Sequence, residues 1–165
     1  MVASTSASSL YISLPSQTLQ LRHNNKVEFE CAISSAKNGA GEINGSEQTP
    51  RGWHYIRARI GEGSPVNTVF KGRRPTGEVY TPGMRQQYPQ RDWILTRILW
   101  LCGLEPGFNR LGVTDTMRRY IYIHGCPDED VFDTPGSHGC IKLHNPDMLA
   151  LFDRVLAGTR VLITE

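Results

Sequence analysis

Between residues 119 and 145 the chain changes character several times in quick succession, and no other stretch constrains its folding as strongly. Arg119-Tyr120-Ile121-Tyr122-Ile123 alternates, which predicts a strand that delivers His124 at its end. His-Gly-Cys then occurs twice, at residues 124–126 and 138–140. Next, Asn145 is a strong N-cap residue with Pro146 behind it at the first helical position. Met148, Leu149, Leu151, Phe152 and Val155 mark the buried face of a helix, which Gly158 is expected to end. The stretch holds three of the chain's five histidines and two of its four cysteines.

The rest of the chain reads mainly as strands. Residues 9–14 form one, closed by Pro15. Leu19, Leu21, Val27, Phe29 and Cys31 sit at period two around His23-Asn24-Asn25-Lys26, a hairpin whose asparagines tolerate positive φ. Residues 37–52 are a long polar loop, residues 53–60 a strand, and residues 66–71 and 78–80 shorter strands. Residues 83–91 and 103–117 read as loops. Between them, Asp92 is expected to cap a helix over residues 93–102, with Ile94, Leu95, Ile98, Leu99 and Cys102 at helical spacing and Gly103 as its stop. Trp93 and Trp100 then belong to core or rim packing. Residues 160–163 are the closing strand. The expectation is a mainly β chain with two helices, in which residues 1–8 are a flexible N-terminus and residues 9–165 one domain.

Composition excludes several functions. At 165 residues the chain can bury a sizeable core, and 16 glycines with 10 prolines make it turn-rich. A formal net charge of +2 and scattered arginines, including Arg73-Arg74 and Arg118-Arg119 read as solvated surface, argue against nucleic acid. No apolar run is long enough for a membrane span. Four cysteines over this length do not make a disulfide framework. The first residues carry neither a basic nor an apolar signal region, so the expected compartment is the cytoplasm, or the periplasm and cell envelope if a signal was removed.

Imidazole and thiol together suit a metal site or a cysteine nucleophile with its base. His-x-Cys twice is a poor match to zinc spacing, and no cofactor is expected. For a nucleophile, Ser137-His138-Gly139-Cys140 places a glycine before the thiol, where the chain turns sharply and exposes amides for an oxyanion. His124 is the natural base across from it, oriented by the Gly125 carbonyl. The residues alone leave this open against a reading in which Cys140 is a buried structural thiol.

His124-Gly125 followed at a distance by Ser137-His138-Gly139-Cys140-Ile141-Lys142 closely resembles the signature of L,D-transpeptidase catalytic domains of the YkuD (ErfK/YbiS) type. Residues 11–21 resemble that family's opening hairpin, Thr49-Pro50-Arg51-Gly52 its Thr-Pro-x-Gly turn, and the chain from Asn145 its last helix and strand. The resemblance implies a β-sandwich-like catalytic fold acting on peptidoglycan stem peptides or free muropeptides. Cys140 would be the nucleophile, His124 the acid–base and Gly125 its orienting carbonyl. The amides of Gly139 and Cys140 would hold the oxyanion, and Ser137 and His138 would shape the pocket or only set its turn. Carbapenem β-lactams would be covalent inhibitors. Short, signal-less relatives act as cytoplasmic L,D-carboxypeptidases, so water stands beside an amine as acceptor. Lys142 stands where the family usually has Arg, and Cys126 where it more often has Thr, as inert packing or as a thiol able to pair with Cys140. The alternative is a non-catalytic metal- or glycan-binding domain using the His/Cys cluster of residues 124–144.

Overall fold

In the computed structural model, which describes residues 7–165, ten strands share one sheet. Along its main path it runs β3 (Lys26–Ala32), β2 (Thr18–His23), β1 (Ser9–Ser13), β10 (Arg160–Thr164), β4 (Gly52–Ile60), β7 (Ile94–Gly103), β5 (Thr68–Lys71) and β6 (Arg74–Val79). Off this path, β8 (Tyr122–Gly125) pairs with β7 and with β9 (Ile141–Leu143). The β1–β10 and β8–β9 pairs are parallel and the remainder antiparallel. The predicted β2–β3 hairpin turns at Asn24 and Asn25, with φ of 50° and 61°. Residues 1–6 of the expected flexible segment lie outside the described residues.

Two α-helices are present, α1 (Pro82–Gln87) and α2 (Asn145–Phe152), so the mainly β class with two helices stands, but one helix is not where the spacing put it. Residues 93–102 are almost all of β7, not a helix. This strand is buried on both faces between β4, β5 and β8, so its apolar run is nearly continuous and carries no period. A bulge between Leu95 and Ile98 shifts its phase and gives the helix-like spacing. At the bulge, Thr96 takes φ +75°, costly for a β-branched residue. Helix α1 falls inside the expected loop 83–91; it is one and a half turns with no buried residue, so no apolar face announces it.

Helix α2 begins at Asn145 itself, with His144 in the cap position, and stops at Phe152, well before Gly158. Arg59 of β4 donates to the Phe152 carbonyl at 2.7 Å and stacks over its ring at 4.0 Å, satisfying the open end. Met148, Leu151 and Phe152 then bury against Leu99, Leu101, Ile123 and Ile141. Each fully buried side chain of this kind contributes about 1.5–3 kcal/mol. The core therefore lies directly behind β8 and β9.

Candidate active site

Strands β8 and β9 run parallel, with Ile123 opposite Ile141 and His124 opposite Lys142. Side chains alternate along a strand, so Ile123 and Ile141 enter the core while Tyr122 and His124 share the other face with Cys140 and Lys142. That face lines a cavity of about 530 Å³. The two halves of the signature thus meet through backbone pairing, across an excursion of the chain between residues 126 and 140.

His124 is almost wholly buried, and its Nδ1 lies 2.6 Å from the Gly125 carbonyl oxygen. A carbonyl only accepts, so Nδ1 carries the proton and Nε2 is left with its lone pair. Burial, first among the causes, holds the His124 pKa below the ordinary 6.5. Gly125 has no room for a side chain: a β-carbon there would lie 2.7 Å from the Leu95 carbonyl oxygen and 3.0 Å from Thr96 Cβ.

Cys140 keeps some surface open to the cavity. Its Sγ accepts from the Tyr122 amide at 3.3 Å and donates to the Tyr120 carbonyl at 3.4 Å. Burial pushes the thiol up to about 12, so the resting pair is neutral thiol and neutral imidazole. Gly139 adopts φ +132°, with Ile121 Cδ1 3.1 Å from where a β-carbon would stand. Its carbonyl accepts from Thr49 Oγ1 at 2.9 Å, so the Thr-Pro-x-Gly turn holds the loop before Cys140 in place. Ser137 closes the turn from inside, its hydroxyl donating to the Cys140 carbonyl at 2.5 Å while accepting from the Gly139 amide at 3.2 Å. His138 is exposed on the cavity rim.

Lys142 Nζ lies 3.3 Å from Asp130, whose other oxygen pairs with Arg85 of α1 at 2.6 Å, so its charge is already matched. Cys126 is fully buried and donates to the Leu143 carbonyl at 3.3 Å; burial pushes its thiol up to about 12. It is packing, and it does not line the cavity. His144 stacks on Phe132 at 3.9 Å. Among the described residues no three His, Cys, Asp or Glu side chains converge as a ligand set, so the cluster 124–144 is dispersed.

Several cavity residues were missed from the sequence. Asp92, expected as a helix cap, lines the cavity instead. Arg119, expected as solvated surface, is half-buried there and donates to the carbonyls of Gly41 (3.2 Å) and Gln48 (2.5 Å) in the loop 37–52. Arg73 and Tyr120 complete the rim, each at positive φ, 64° and 56°.

A chain with this fold and this His124–Gly125–Cys140 arrangement falls in a recognised class, and the L,D-transpeptidase catalytic domain model (YkuD) matches residues 7–163. The protein belongs to that family. Among curated relatives it is 31% identical over 125 residues to the probable L,D-transpeptidase ErfK/SrfK of Escherichia coli (strain K12), covering 72% of this chain and 33% of that protein. It is 41% identical over 59 residues to the putative L,D-transpeptidase YqjB of Bacillus subtilis (strain 168), covering 36% and 32%. The chain thus spans about a third of the length of either. Solved structures with the same fold include an L,D-transpeptidase from Xylanimonas cellulosilytica (TM-score 0.56, 20% identity, 98% of this chain and 62% of that one). Another is LD transpeptidase LdtMt1 in complex with imipenem (TM-score 0.57, 18% identity, 96% and 59%).

Proposed function

We propose that this protein is a cysteine acyl-transferase acting on peptidoglycan tetrapeptide stems, opening the bond between diaminopimelate and the terminal D-alanine. The observation that carries the reading is that the β8–β9 pairing brings His124, and Cys140 just before β9, to one cavity, with Nδ1 of His124 fixed by the Gly125 carbonyl. Nε2 takes the thiol proton as sulfur attacks the diaminopimelate carbonyl carbon. The amides of Cys140 and Gly139 receive the oxyanion, the Gly139 amide exchanging its long bond to Ser137. The C–N bond then breaks and His124 returns the proton to the departing D-alanine amine, leaving a thioester. An amine of a second stem peptide, or water, attacks the thioester and gives its proton to His124. The C–S bond then breaks, and His124 passes that proton to the departing sulfur, which restores the thiol and the neutral imidazole.

Burial holds the resting thiol protonated, so the sulfur needs His124 to take its proton for attack. The cavity's tyrosines and partly open mouth suit an extended peptide, and a carbapenem bound as an acyl-enzyme mimic would report the same step. Incubation of the purified protein with disaccharide-tetrapeptide, followed by mass spectrometry, tests the reading. Tripeptide identifies water as acceptor and cross-linked dimers identify an amine. Unchanged tetrapeptide, or retained turnover in Cys140→Ala, would end it.

A further inference from the structure

Arg73 sits at the tip of the β5–β6 hairpin, where Lys71 pairs with Arg74 across a two-residue turn. Both central residues have positive φ, Gly72 at 57° and Arg73 at 64°. Glycine or asparagine suits such a turn, and arginine is strained in it. Backbone strain of this kind persists where the side chain has a task. The Arg73 side chain folds back to the cavity mouth, against the adjacent rings of Trp100 (4.8 Å) and Tyr120 (4.7 Å), and donates to the Tyr122 hydroxyl at 3.1 Å. Tyr120 faces it from a second strained position.

The charges around the cavity single Arg73 out. Lys142 is matched by Asp130, and Arg119 is spent on loop carbonyls. Among the described residues no carboxylate lies within ion-pair distance of Arg73, and its guanidinium rests against the Trp100 and Tyr120 rings at the edge of the cavity. A planar fork of N–H groups, braced against rings, matches a carboxylate. Tyr122 relates it to the chemistry: its amide holds the Cys140 sulfur at one end and its phenol touches Arg73 at the other. Arg73 and Cys140 line the same cavity, and one residue beyond a scissile carbonyl adds only about 3.5 Å of chain, so a carboxylate on the leaving residue stays within that cavity.

We propose that Arg73 anchors a carboxylate of the acyl donor and selects donors that carry it. This rests on the acyl-transfer reading above. The carboxylate is that of the terminal D-alanine or the second one of diaminopimelate, and the experiment separates the two.

Wild type, Arg73→Gly and Arg73→Lys are compared on tetrapeptide, on tetrapeptide amidated at its C-terminus, and on tetrapeptide amidated at the diaminopimelate side-chain carboxylate. Glycine suits the turn, so Arg73→Gly is expected to melt no lower than wild type. Its kcat/KM on the parent peptide should fall ten- to a hundredfold, mostly through KM, as loss of a charge-assisted bond predicts. The wild-type preference over one amidated form should disappear, and that form names the carboxylate; Arg73→Lys should recover part of it. Unchanged preferences in Arg73→Gly, or equal losses on all three peptides, would overturn the anchor while leaving the acyl-transfer reading standing. Failure of the wild type to turn over any of the three would overturn both.

Discussion

Gly125 packs so closely on Asn145 that a β-carbon placed on it would lie 2.4 Å from Asn145 Oδ1. That oxygen accepts from Thr96 Oγ1 at 2.6 Å, while Nδ2 donates to Asn67 at 2.9 Å and to Asp128 at 3.1 Å. The residue expected to cap a helix is therefore a buried strut behind the carbonyl that orients His124. Gly125→Ala should force that carbonyl off its line, costing about 1–3 kcal/mol of stability and at least tenfold in turnover. Asn145→Ala leaves room instead of a clash but orphans Thr96 and should cost about 1–3 kcal/mol. Denaturant titration and turnover of the two variants check both.

Thiol reactivity follows from burial. With the Cys140 thiol pushed up to about 12, alkylation by iodoacetamide should be slow at neutral pH and keep rising as pH increases past 9. A preformed thiolate–imidazolium pair would instead react fully near neutrality. Peptide mapping of the native protein should find the label on Cys140 alone, because Cys31, Cys102 and Cys126 are buried.

His54 sets an acid limit on stability that is separate from catalysis. It is wholly buried in β4, between the Gly52 carbonyl and Thr116 Oγ1 at 3.0 Å each, and burial lowers its pKa from 6.5 to about 4. The unfolded chain binds a proton here that the folded chain refuses, so stability falls as pH drops from 6.5 toward 4. The loss is on the order of 3 kcal/mol. His54→Gln should flatten that limb in melts recorded across this range.

Arg119→Met should loosen the loop 37–52 from the cavity wall. It removes charge-assisted bonds to Gly41 and Gln48 and a weaker one to Ser46 Oγ at 3.4 Å, for about 2 kcal/mol. Faster hydrogen exchange confined to that loop and to the Thr49–Gly139 contact is the expected signature, together with reduced turnover.

The meeting of His124 and Cys140 at one cavity was legible because it rests on a local pattern, a strand ending in His124 and a glycine turn before Cys140. The hairpin at Asn24-Asn25 and the closing strand were legible for the same reason. Strand β7 was not: a fully buried strand with a bulge has neither a clean period of two nor a polar face. Arg73 and Arg119 were hidden differently. Nothing in Arg73-Arg74 or Arg118-Arg119 says which member of each pair turns inward; tertiary contacts with Trp100, Tyr120 and the loop 37–52 decide it. A two-residue Gly-Arg hairpin turn was the one available clue.

The register that sets His124 against Lys142, two residues past the thiol, is made of main-chain hydrogen bonds in strands packed on the core. Heat therefore has no soft joint through which to separate the imidazole of His124 from the thiol of Cys140. Thermal inactivation should track the global melting curve, with no range of temperature in which the protein is folded but already inert.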